Sequence, residues 1–514
     1  MNAATQTPEI QQNGHAAPKR AVLVVGAGIM GAGIAQVAAQ AGHKVWLYDM
    51  REGAAQSALQ NLQTRLGALV AKGKMSAEQV DALIGRIVPV AHLQEATSST
   101  LVVEAIVEQA QAKGALWQQL EDLVGTDCVF ASNTSSISIT AMAQGLRHPE
   151  RLVGMHFFNP VAQMKLVEVV SGLHTAPQIA ADIFALAQSW GKVAVHARST
   201  PGFIVNRIAR PYYAEALALL QEQCTSPVVL DACLKAIGFR MGPCELMDLI
   251  GHDTNFAVTE SVYQANFFDK RYMPSLYQRE LVDGGLLGRK TGRGIYDYAE
   301  GATQAAVAAT ATAGFPARSD VQLHGSGARM DAWAARLTDA GVVFSREHNS
   351  SWKGLSTPSL QLRETDGRTA SSLGANVAVF DLAFEPAGSR ILAWAPSVRA
   401  SSACTAEARD WLSALGYQPQ QVADQCGLIV ARTVAMLINE AADAVQQGVC
   451  SVDGANQAMK LGVNYPAGPF DWLAAWSAQG VIDVLAALDA QYRGERYRVS
   501  PWLRQQACAA LGSV

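Results

Sequence analysis

Short apolar runs alternate with helical patterns from Ala21 to about Ser199. Seven of these runs have the length and composition of buried strands: residues 21–25, 45–48, 101–103, 128–131, 152–156, 166–170 and 192–195. Between them, apolar residues recur with helical spacing. Strands that alternate with helices form sheets covered on both faces. This part therefore predicts a doubly wound α/β sheet whose ligand site lies at the carboxyl ends of the strands.

The strand pattern stops at Ser199-Thr200-Pro201-Gly202. From there to about Tyr298 the chain has helical periodicity, interrupted at Gly242-Pro243 and Gly284-Gly285. Proline lacks a backbone donor and glycine is conformationally free, so both tend to end helices. An all-helical domain is therefore predicted after the sheet.

The first strand leads into a glycine-rich turn, Gly26-Ala27-Gly28-Ile29-Met30-Gly31, and the second strand ends at Asp49. This order is the dinucleotide-binding fingerprint of a Rossmann-like sheet. Gly26 permits the tight turn, Gly28 lets the backbone approach a pyrophosphate, and Gly31 lets the helix pack closely. The helix N-terminus, at Ile29 and Met30, attracts the phosphate charge.

Asp49 indicates which dinucleotide binds. A carboxylate there accepts hydrogen bonds from the ribose and repels the extra phosphate of NADP, so NAD is the expected cofactor. A glycine-rich turn that binds nothing is the alternative, but strand, helix, second strand and acid in this order favour binding.

An internal repeat predicts that the helical domain occurs twice. Residues 181–191 align with 406–416, and at the same spacing Arg207 coincides with Arg432 and Glu215 with Glu440. Self-similarity at a fixed spacing indicates a duplicated structural unit.

A shortened copy of the first sheet is predicted between the two helical domains. Residues 321–327 match 22–28, but Met330 replaces the third glycine and His348 occupies the place of the acid. A bulky residue at the closest helix–strand approach and no ribose acceptor argue against cofactor binding there. We expect a degenerate, truncated Rossmann-like segment that has lost its site, and a different ligand is the open alternative.

These patterns divide the chain into six predicted segments. They are a flexible tail at 1–20, the NAD-binding Rossmann domain at 21–199, a helical domain at 200–300, an alanine-rich linker at 301–314, the degenerate Rossmann-like segment at 315–420 and the second helical domain at 421–514.

Composition excludes several classes of function. The net charge is −4 and no lysine or arginine run dominates, so no nucleic-acid partner is expected. No apolar run is long enough to span a bilayer and residues 1–18 are polar, which predicts a cytoplasmic protein with no membrane partner. The 8 cysteines lack metal-binding spacing, so free thiols and no metal are expected.

Two neighbouring strands carry a candidate acid–base pair, His156 and Glu168. A carboxylate inside an apolar strand is costly unless it is paired, and His156 is the expected partner. An alcohol dehydrogenase needs a base for the hydroxyl proton, and a carboxylate on the far ring nitrogen fixes the imidazole tautomer. A buried histidine–glutamate pair with a purely structural role is the alternative.

At these residues the chain resembles the L-3-hydroxyacyl-CoA dehydrogenase family. The segments that carry the resemblance are 26–35, 132–136, 156–161, 164–170, 200–207 and 290–296. The resemblance covers 21–298 continuously and returns after 421. It implies NAD-dependent oxidation of an L-3-hydroxyacyl-CoA thioester to the 3-ketoacyl-CoA.

The resemblance also implies roles for particular residues. His156 would be the general base and Glu168 its partner. Ser135 and Asn206 would hydrogen-bond the reacting oxygen and the thioester end of the substrate, and Ser135 would also adjoin the cofactor. Asn159 would help to form the nicotinamide pocket. Domain closure that brings Asn206 over the cofactor would then exclude water.

Four further charged residues have an implied role and a plain alternative. Glu108 and Lys113 would contact the cofactor, although a solvated pair on a helix would have the same spacing. Lys72 and Lys74, on a helical hairpin, would contact CoA, although lysines on a surface are usually only solvated.

The second helical copy is expected to have no chemistry. Ala431 occupies the position of Asn206, and no His-Phe-Phe-Asn-Pro segment precedes it. This tandem layout resembles the longer bacterial family members of phenylacetate and other aromatic catabolism, for which 3-hydroxyadipyl-CoA is a substrate. The two copies are expected to pair within one chain as a pseudo-dimer, and oligomers beyond that stay open.

Two other functions stay open at this point. One is an NAD-dependent dehydrogenase of a free hydroxy acid or sugar acid, which would use the same base without a CoA site. The other is a non-catalytic binding protein that retains the fold.

Overall fold

The computed structural model describes residues 20–302, 306–307, 314–316, 320–384 and 390–511. The predicted tail at 1–20 lies outside the described residues except for Arg20, and so does most of the predicted linker at 301–314. The chain divides into two compact units, Met1–Ser199 and Thr200–Val514.

The first unit is built on an eight-stranded sheet in the order β3-β2-β1-β4-β5-β6-β7-β8. Its strands are β1 (Ala21–Val25), β2 (Lys44–Tyr48), β3 (Ile87–Val90), β4 (Leu101–Glu104), β5 (Val129–Ser132), β6 (Leu152–Phe157), β7 (Leu166–Ser171) and β8 (Val193–Arg198). All neighbours pair in parallel except β6 and β7, which are antiparallel. This is the predicted doubly wound sheet.

One strand of this sheet, β3, was not predicted. Its sequence, Ile-Val-Pro-Val, contains Pro89, and a proline within an apolar run argues against a strand. The structure places β3 at the edge of the sheet, where it pairs on one side with β2. A missing backbone donor is tolerated at an edge, because one side of the strand needs no ladder partner.

The helices of the first unit cover both faces of this sheet. They are α1 (Ile29–Gln40), α2 (Ala54–Ala71), α3 (Ala77–Ile84), α4 (Ala110–Leu123), α5 (Ile139–Ala143) and α6 (Pro177–Ser189), with short 3₁₀ segments at Leu93–Ala96 and Pro149–Arg151. The core consists mainly of the aliphatic residues of the central strands together with the buried face of α1. It fixes the strand ends that carry the candidate site.

The second unit begins and ends with helices. The first set is α7 (Val205–Ile208), α8 (Arg210–Gln221), α9 (Pro227–Ala236), α10 (Pro243–Ile250), α11 (His252–Ala265) and α12 (Leu276–Asp283), with 3₁₀ segments at Lys270–Tyr272 and Arg289–Thr291. The last set is α16 (Val430–Gln446), α17 (Val452–Gly462), α18 (Pro469–Trp476), α19 (Ala478–Tyr492) and α20 (Pro501–Leu511). The helical domain is therefore present twice, as the repeat predicted.

Between these helical sets lies a seven-stranded sheet in the order β10-β9-β11-β12-β13-β14-β15. Its elements are β9 (Val321–His324), α13 (Ala328–Asp339), β10 (Phe344–Glu347), β11 (Gly354–Thr357), β12 (Leu360–Glu364), α14 (Ala370–Leu373), β13 (Val377–Phe380), β14 (Ile391–Pro396), α15 (Ser402–Ala414) and β15 (Gln418–Gln421). Strand β11 is antiparallel to both of its neighbours, β9 and β12. This part of the sheet therefore departs from the parallel strand order of a doubly wound sheet. Met330 is fully buried in the core of this sheet.

The two helical copies of the second unit pack together through α8 and α16. Arg207 Nε donates to Glu440 Oε1 at 2.6 Å, and Arg432 Nε donates to Glu215 Oε2 at 2.8 Å. The residues that align in the repeat thus exchange partners between the copies. Such reciprocal contacts are what a two-fold axis produces between identical subunits.

The described residues include no single helix that is long and apolar enough to cross a membrane. The bent pair Pro469–Trp476 and Ala478–Tyr492 meets that test jointly, on length and composition alone.

Candidate active site

The glycine-rich turn has the shape that a pyrophosphate requires. Gly26 has a φ of +103°, and a Cβ there would lie 2.4 Å from the carbonyl oxygen of Ala105. A Cβ on Gly31 would lie 1.7 Å from the carbonyl oxygen of Gly26, so only glycine lets α1 approach the turn. A Cβ on Gly28 would meet nothing within 4 Å, and no side chain caps the first turn of α1 there. The helix N-terminus is therefore open to an anion.

Asp49 at the end of β2 is fixed beside this turn. Its Oδ2 accepts from the backbone N–H of Ala27 at 2.8 Å, and its Oδ1 accepts from Arg51 Nε at 3.0 Å. Burial alone would raise the pKa of Asp49, but the hydrogen bonds from Arg51 and Ala27 outweigh it and lower that pKa. A cavity of about 690 Å³ runs along Gly26, Gly28 and Asp49. The turn, the acid and the cavity fit a bound NAD.

A buried charge cluster joins the ends of β4 and β5. Glu104, the last residue of β4, accepts from Lys113 Nζ at 2.5 Å and from Ser132 Oγ at 2.6 Å. Lys113 Nζ also lies 3.1 Å from Glu108 Oε2, and its side chain is only 1% exposed. Lys113 is therefore not part of a solvated surface pair. Sequence reasoning missed Glu104, although an acid at the end of the apolar run Leu-Val-Val-Glu was a usable signal.

Glu108 holds the loop that contains Ser135. Its Oε1 accepts from Thr134 Oγ1 at 2.7 Å, from the N–H of Ser135 at 2.8 Å and from Ser135 Oγ at 3.2 Å. Burial alone would raise the pKa of Glu108, but the charge of Lys113 and these hydrogen bonds outweigh it and lower that pKa. Glu108 thus stays ionised and fixes the position of Ser135.

His156 and Glu168 lie directly opposite each other on the antiparallel strands β6 and β7. His156 Nδ1 lies 2.6 Å from Glu168 Oε2, and both residues are buried. Because a carboxylate only accepts, Nδ1 carries the hydrogen of the neutral ring, and the lone pair is on Nε2. The geometry thus gives the expected pair and a defined tautomer.

A third asparagine, Asn133, to which sequence reasoning gave no role, supports the strand that carries His156. Asn133 Oδ1 accepts from the backbone N–H of Phe157 at 2.8 Å, so the loop after β5 is tied to the end of β6. Asn159 lies in the loop after β6 and is exposed. The Phe158 ring packs on His156, with the ring centroids 4.5 Å apart.

The other predicted site residues lie on separate elements. Asn206 lies on α7 of the second unit, and its carbonyl oxygen accepts from Arg210 Nε at 2.9 Å. Lys72 and Lys74 are exposed at the turn between α2 and α3, and neither forms an ion pair within the described ranges. In that same part of the chain, no group of three or more His, Cys, Asp or Glu side chains could hold a metal ion.

Three family models match the chain. The model "3-hydroxyacyl-CoA dehydrogenase, NAD binding domain" matches residues 21–200. The model of the C-terminal domain of 3-hydroxyacyl-CoA dehydrogenase matches 202–298 and again 427–511. The model "3-hydroxybutyryl-CoA dehydrogenase reduced Rossmann-fold domain" matches 362–425, within the second sheet and α15.

Individual relatives agree with these models. The 3-hydroxyadipyl-CoA dehydrogenase of Escherichia coli K12 is 42% identical over 492 residues, covering 96% of this chain and 98% of that protein. A 3-hydroxybutyryl-CoA dehydrogenase of Clostridioides difficile is 37% identical over 276 residues, covering 54% of this chain and 98% of that protein. A crystal structure of 3-hydroxybutyryl-CoA dehydrogenase from Escherichia coli K12 has a TM-score of 0.87 and 41% identity, covering 97% of this chain and 100% of that one. The chain belongs to the 3-hydroxyacyl-CoA dehydrogenase family.

Proposed function

We propose that this protein oxidises the 3-hydroxyl group of a 3-hydroxyacyl-CoA thioester with NAD, and that 3-hydroxyadipyl-CoA from phenylacetate catabolism is its substrate. The main support for this reaction is the buried His156–Glu168 pair, which lies in the same unit as the glycine-rich turn. The relative named 3-hydroxyadipyl-CoA dehydrogenase matches almost the whole tandem chain, which supports the dicarboxylyl substrate. We also propose that the chain consists of six segments with the boundaries predicted from its sequence.

The residues of the chain supply the proton chemistry. His156 Nε2 takes the proton of the 3-hydroxyl group as the hydrogen on C3 leaves with its electron pair, so that a ketone forms. Bound NAD supplies the acceptor for that hydride. Glu168 stabilises the imidazolium that results and keeps the ring oriented. A positioned base of this kind contributes about 10²- to 10⁴-fold in rate.

Other residues bind the substrate and the cofactor in this proposal. Ser135 and Asn206 donate hydrogen bonds to the reacting oxygen and to the thioester end. Glu108 acts through Ser135, because it already holds the Ser135 amide and hydroxyl. Asn159 adjoins the nicotinamide, and the exposed Lys72 and Lys74 pair with CoA phosphates.

A substrate panel tests this proposal. NADH absorbance is followed with 3-hydroxyadipyl-, 3-hydroxyhexanoyl- and 3-hydroxybutyryl-CoA and with free 3-hydroxyhexanoic acid. We expect turnover with all the thioesters, with a kcat/KM for the adipyl compound at least about 10-fold above the hexanoyl compound, since one hydrogen-bonded charge is worth that much. Equal values would remove the dicarboxylyl assignment. Turnover of the free acid alone would favour the hydroxy-acid alternative.

A second prediction concerns Asp49. We expect Asp49→Ser to lower kcat/KM for NAD about 10-fold, because the ribose loses a charged acceptor. NADP use should rise at the same time, since Arg51 loses its partner and can pair with the extra phosphate. Both dinucleotides are assayed at fixed substrate, with Glu52→Gln as the control at a neighbouring exposed acid. An unchanged NAD-to-NADP ratio in Asp49→Ser would contradict the assignment.

A further inference from the structure

The second unit buries one arginine that lacks an acidic partner. Its buried arginines are Arg207, Arg210, Arg271 and Arg432 among the described residues. All except Arg210 form ion pairs with buried carboxylates. Arg210 donates from Nε to the carbonyl oxygen of Asn206 and from Nη1 to Thr259 Oγ1 at 3.1 Å, and Nη2 makes no hydrogen bond within the described chain. A buried cation without an anion is costly, so an anion from outside the chain would stabilise it.

Arg210 lines a cavity of about 490 Å³ inside the second unit. Its guanidinium carbon lies 4.9 Å from the centre of the Tyr213 ring, and the Tyr213 hydroxyl, also at this cavity, makes no hydrogen bond with the rest of the described structure. Leu217 and Met273 add apolar wall. A guanidinium, a phenol donor and an apolar wall together suit a carboxylate at the end of a short methylene chain.

The cavity lining is also electropositive. It contains five basic residues, Arg210, Lys270, Arg432, Arg493 and Arg496, against the two lining acids Glu222 and Glu495 and the buried Glu215 that pairs with Arg432 and Arg496. Burial without a carboxylate partner lowers the pKa of Arg210. The cavity therefore favours an anionic over a neutral ligand.

The position of Arg210 connects this cavity to the substrate. Asn206, Arg210 and Tyr213 have the spacing i, i+4 and i+7, which places them on one face of the α7–α8 segment. The terminal carboxylate of an adipyl chain begins three carbon–carbon bonds beyond C3, and Arg210 lies about one helical turn, about 5.4 Å, beyond Asn206. A chain held at Asn206 can thus present its terminal carboxylate to Arg210.

Comparison of the two helical copies distinguishes Arg210 and Tyr213 from the residues that pack the copies together. In the second copy the interface residues Arg432 and Glu440 are retained, but Ala435 occupies the position of Arg210 and Ile438 that of Tyr213. The copy that lacks Asn206 thus also lacks this cation and this phenol. Arg210 and Tyr213 thus occur in the copy that contains Asn206, whereas the residues that pack the two copies together occur in both.

We propose that Arg210, together with Tyr213, binds the terminal carboxylate of a dicarboxylyl-CoA substrate and thereby sets the preference for it over an acyl chain of equal length. This inference rests on the proposed oxidation of 3-hydroxyacyl-CoA and names the residues that choose among its substrates. A carboxylate that accepts from the guanidinium and the phenol gains charge-assisted hydrogen bonds, which correspond to about a 10- to 100-fold change in kcat/KM.

The test compares Arg210→Leu and Tyr213→Phe with the unmodified protein on 3-hydroxyadipyl-CoA and 3-hydroxyhexanoyl-CoA. We expect Arg210→Leu to lower kcat/KM for the adipyl compound about 10- to 100-fold, chiefly through KM, and to leave the hexanoyl compound within about threefold. Tyr213→Phe should act in the same direction with a smaller effect. Arg279→Leu, an exposed arginine of α12 paired with Asp283, is the control and should change neither substrate. An equal fall for both substrates, or no change for either, would overturn the proposal.

If Arg210→Leu does not fold, competitive inhibition tests the same carboxylate subsite. Adipate and hexanoate are compared as inhibitors of the unmodified protein and of Tyr213→Phe. We expect adipate to inhibit at lower concentration in the unmodified protein and this advantage to shrink in Tyr213→Phe. Equal inhibition by both acids would overturn the carboxylate subsite while dehydrogenase activity remained. Absence of activity with every thioester would instead overturn the proposed function.

Discussion

Replacing His156 by alanine is expected to lower kcat for the 3-hydroxyacyl-CoA substrate by about 10³-fold or more, within the range of a lost general base. His156 Nδ1 is held by Glu168 at 2.6 Å, so the ring has one defined orientation and one basic nitrogen. Glu168→Gln keeps the shape but removes the charge that stabilises the imidazolium, and a smaller loss is expected from it. Steady-state assays of NADH formation measure both.

Controls separate this loss from a structural effect. His196 lies on β8 of the same sheet and is exposed, so His196→Gln should stay within about twofold of the unmodified protein. NAD affinity, measured by titration calorimetry, should be nearly unchanged in His156→Ala. Unchanged turnover in His156→Ala would instead support the alternative of a non-catalytic binding protein that retains the cofactor-binding fold.

The second large effect is expected at the interface of the two helical copies. Glu440 accepts from Arg207 Nε and from Tyr272 Oη, each at 2.6 Å, and from Arg271 Nη1 at 3.3 Å. Glu440→Gln leaves the buried guanidinium of Arg207 without its anion, whereas Arg271 keeps Asp443, so the free energy of unfolding should fall by about 3–5 kcal/mol. Chemical unfolding measures this change. Asp283→Asn, in an exposed pair with Arg279, is the control and should cost less than about 1 kcal/mol.

The same carboxylate predicts an acid sensitivity with a defined sign. Burial alone would raise the pKa of Glu440, but the charges of Arg207 and Arg271 outweigh it and lower that pKa below 4.5. A carboxyl group with a lowered folded-state pKa stabilises the fold above its unfolded value and loses that contribution as the pH falls further. The unmodified protein should therefore lose stability below about pH 4.5, and Glu440→Gln should show a flatter profile. Equal slopes would contradict this assignment.

The interface between the two helical copies contains more repeat-related contacts than the sequence comparison indicated. Glu215 of the first copy accepts from Arg432, Arg496 and Tyr497 of the second. These three residues stand at the spacing of the repeat from Arg207, Arg271 and Tyr272, which bind Glu440. Both sets of contacts lie within the second unit, between its two helical copies, as the expected pseudo-dimer requires. Light scattering should then give a mass near 54.6 kDa for the monomer.

The features that sequence could predict follow from local pattern. The glycine turn, Asp49, and the pairing of His156 with Glu168 each depend on a short motif or on the cost of a buried charge. The strand β3 was missed because Pro89 argues against a strand unless the edge position is known. Local chemistry was thus enough to predict the pairing of His156 with Glu168, while the catalytic role of the pair stays a prediction.

The features that sequence could not predict depend on which elements become neighbours. A cofactor contact of Glu108 was expected and stays a prediction, while its bonds to the Ser135 loop arise only once β4 and β5 are paired. Asp381 accepts from the backbone N–H groups of Ile429, Val430 and Ala431 and so caps α16. Such bonds join residues far apart in sequence, and no periodicity marks them.

Transfer of deuterium from C3 of the substrate to the dinucleotide tests the hydride step and the role of His156 together. The unmodified protein is given 3-hydroxyadipyl-CoA with deuterium at C3 and unlabelled NAD, and the reduced dinucleotide is analysed by mass spectrometry. We expect one deuterium in each reduced dinucleotide, and we expect His156→Ala to form it about 10³-fold or more slowly. Reduced dinucleotide without deuterium, or equal rates in the two proteins, would contradict it.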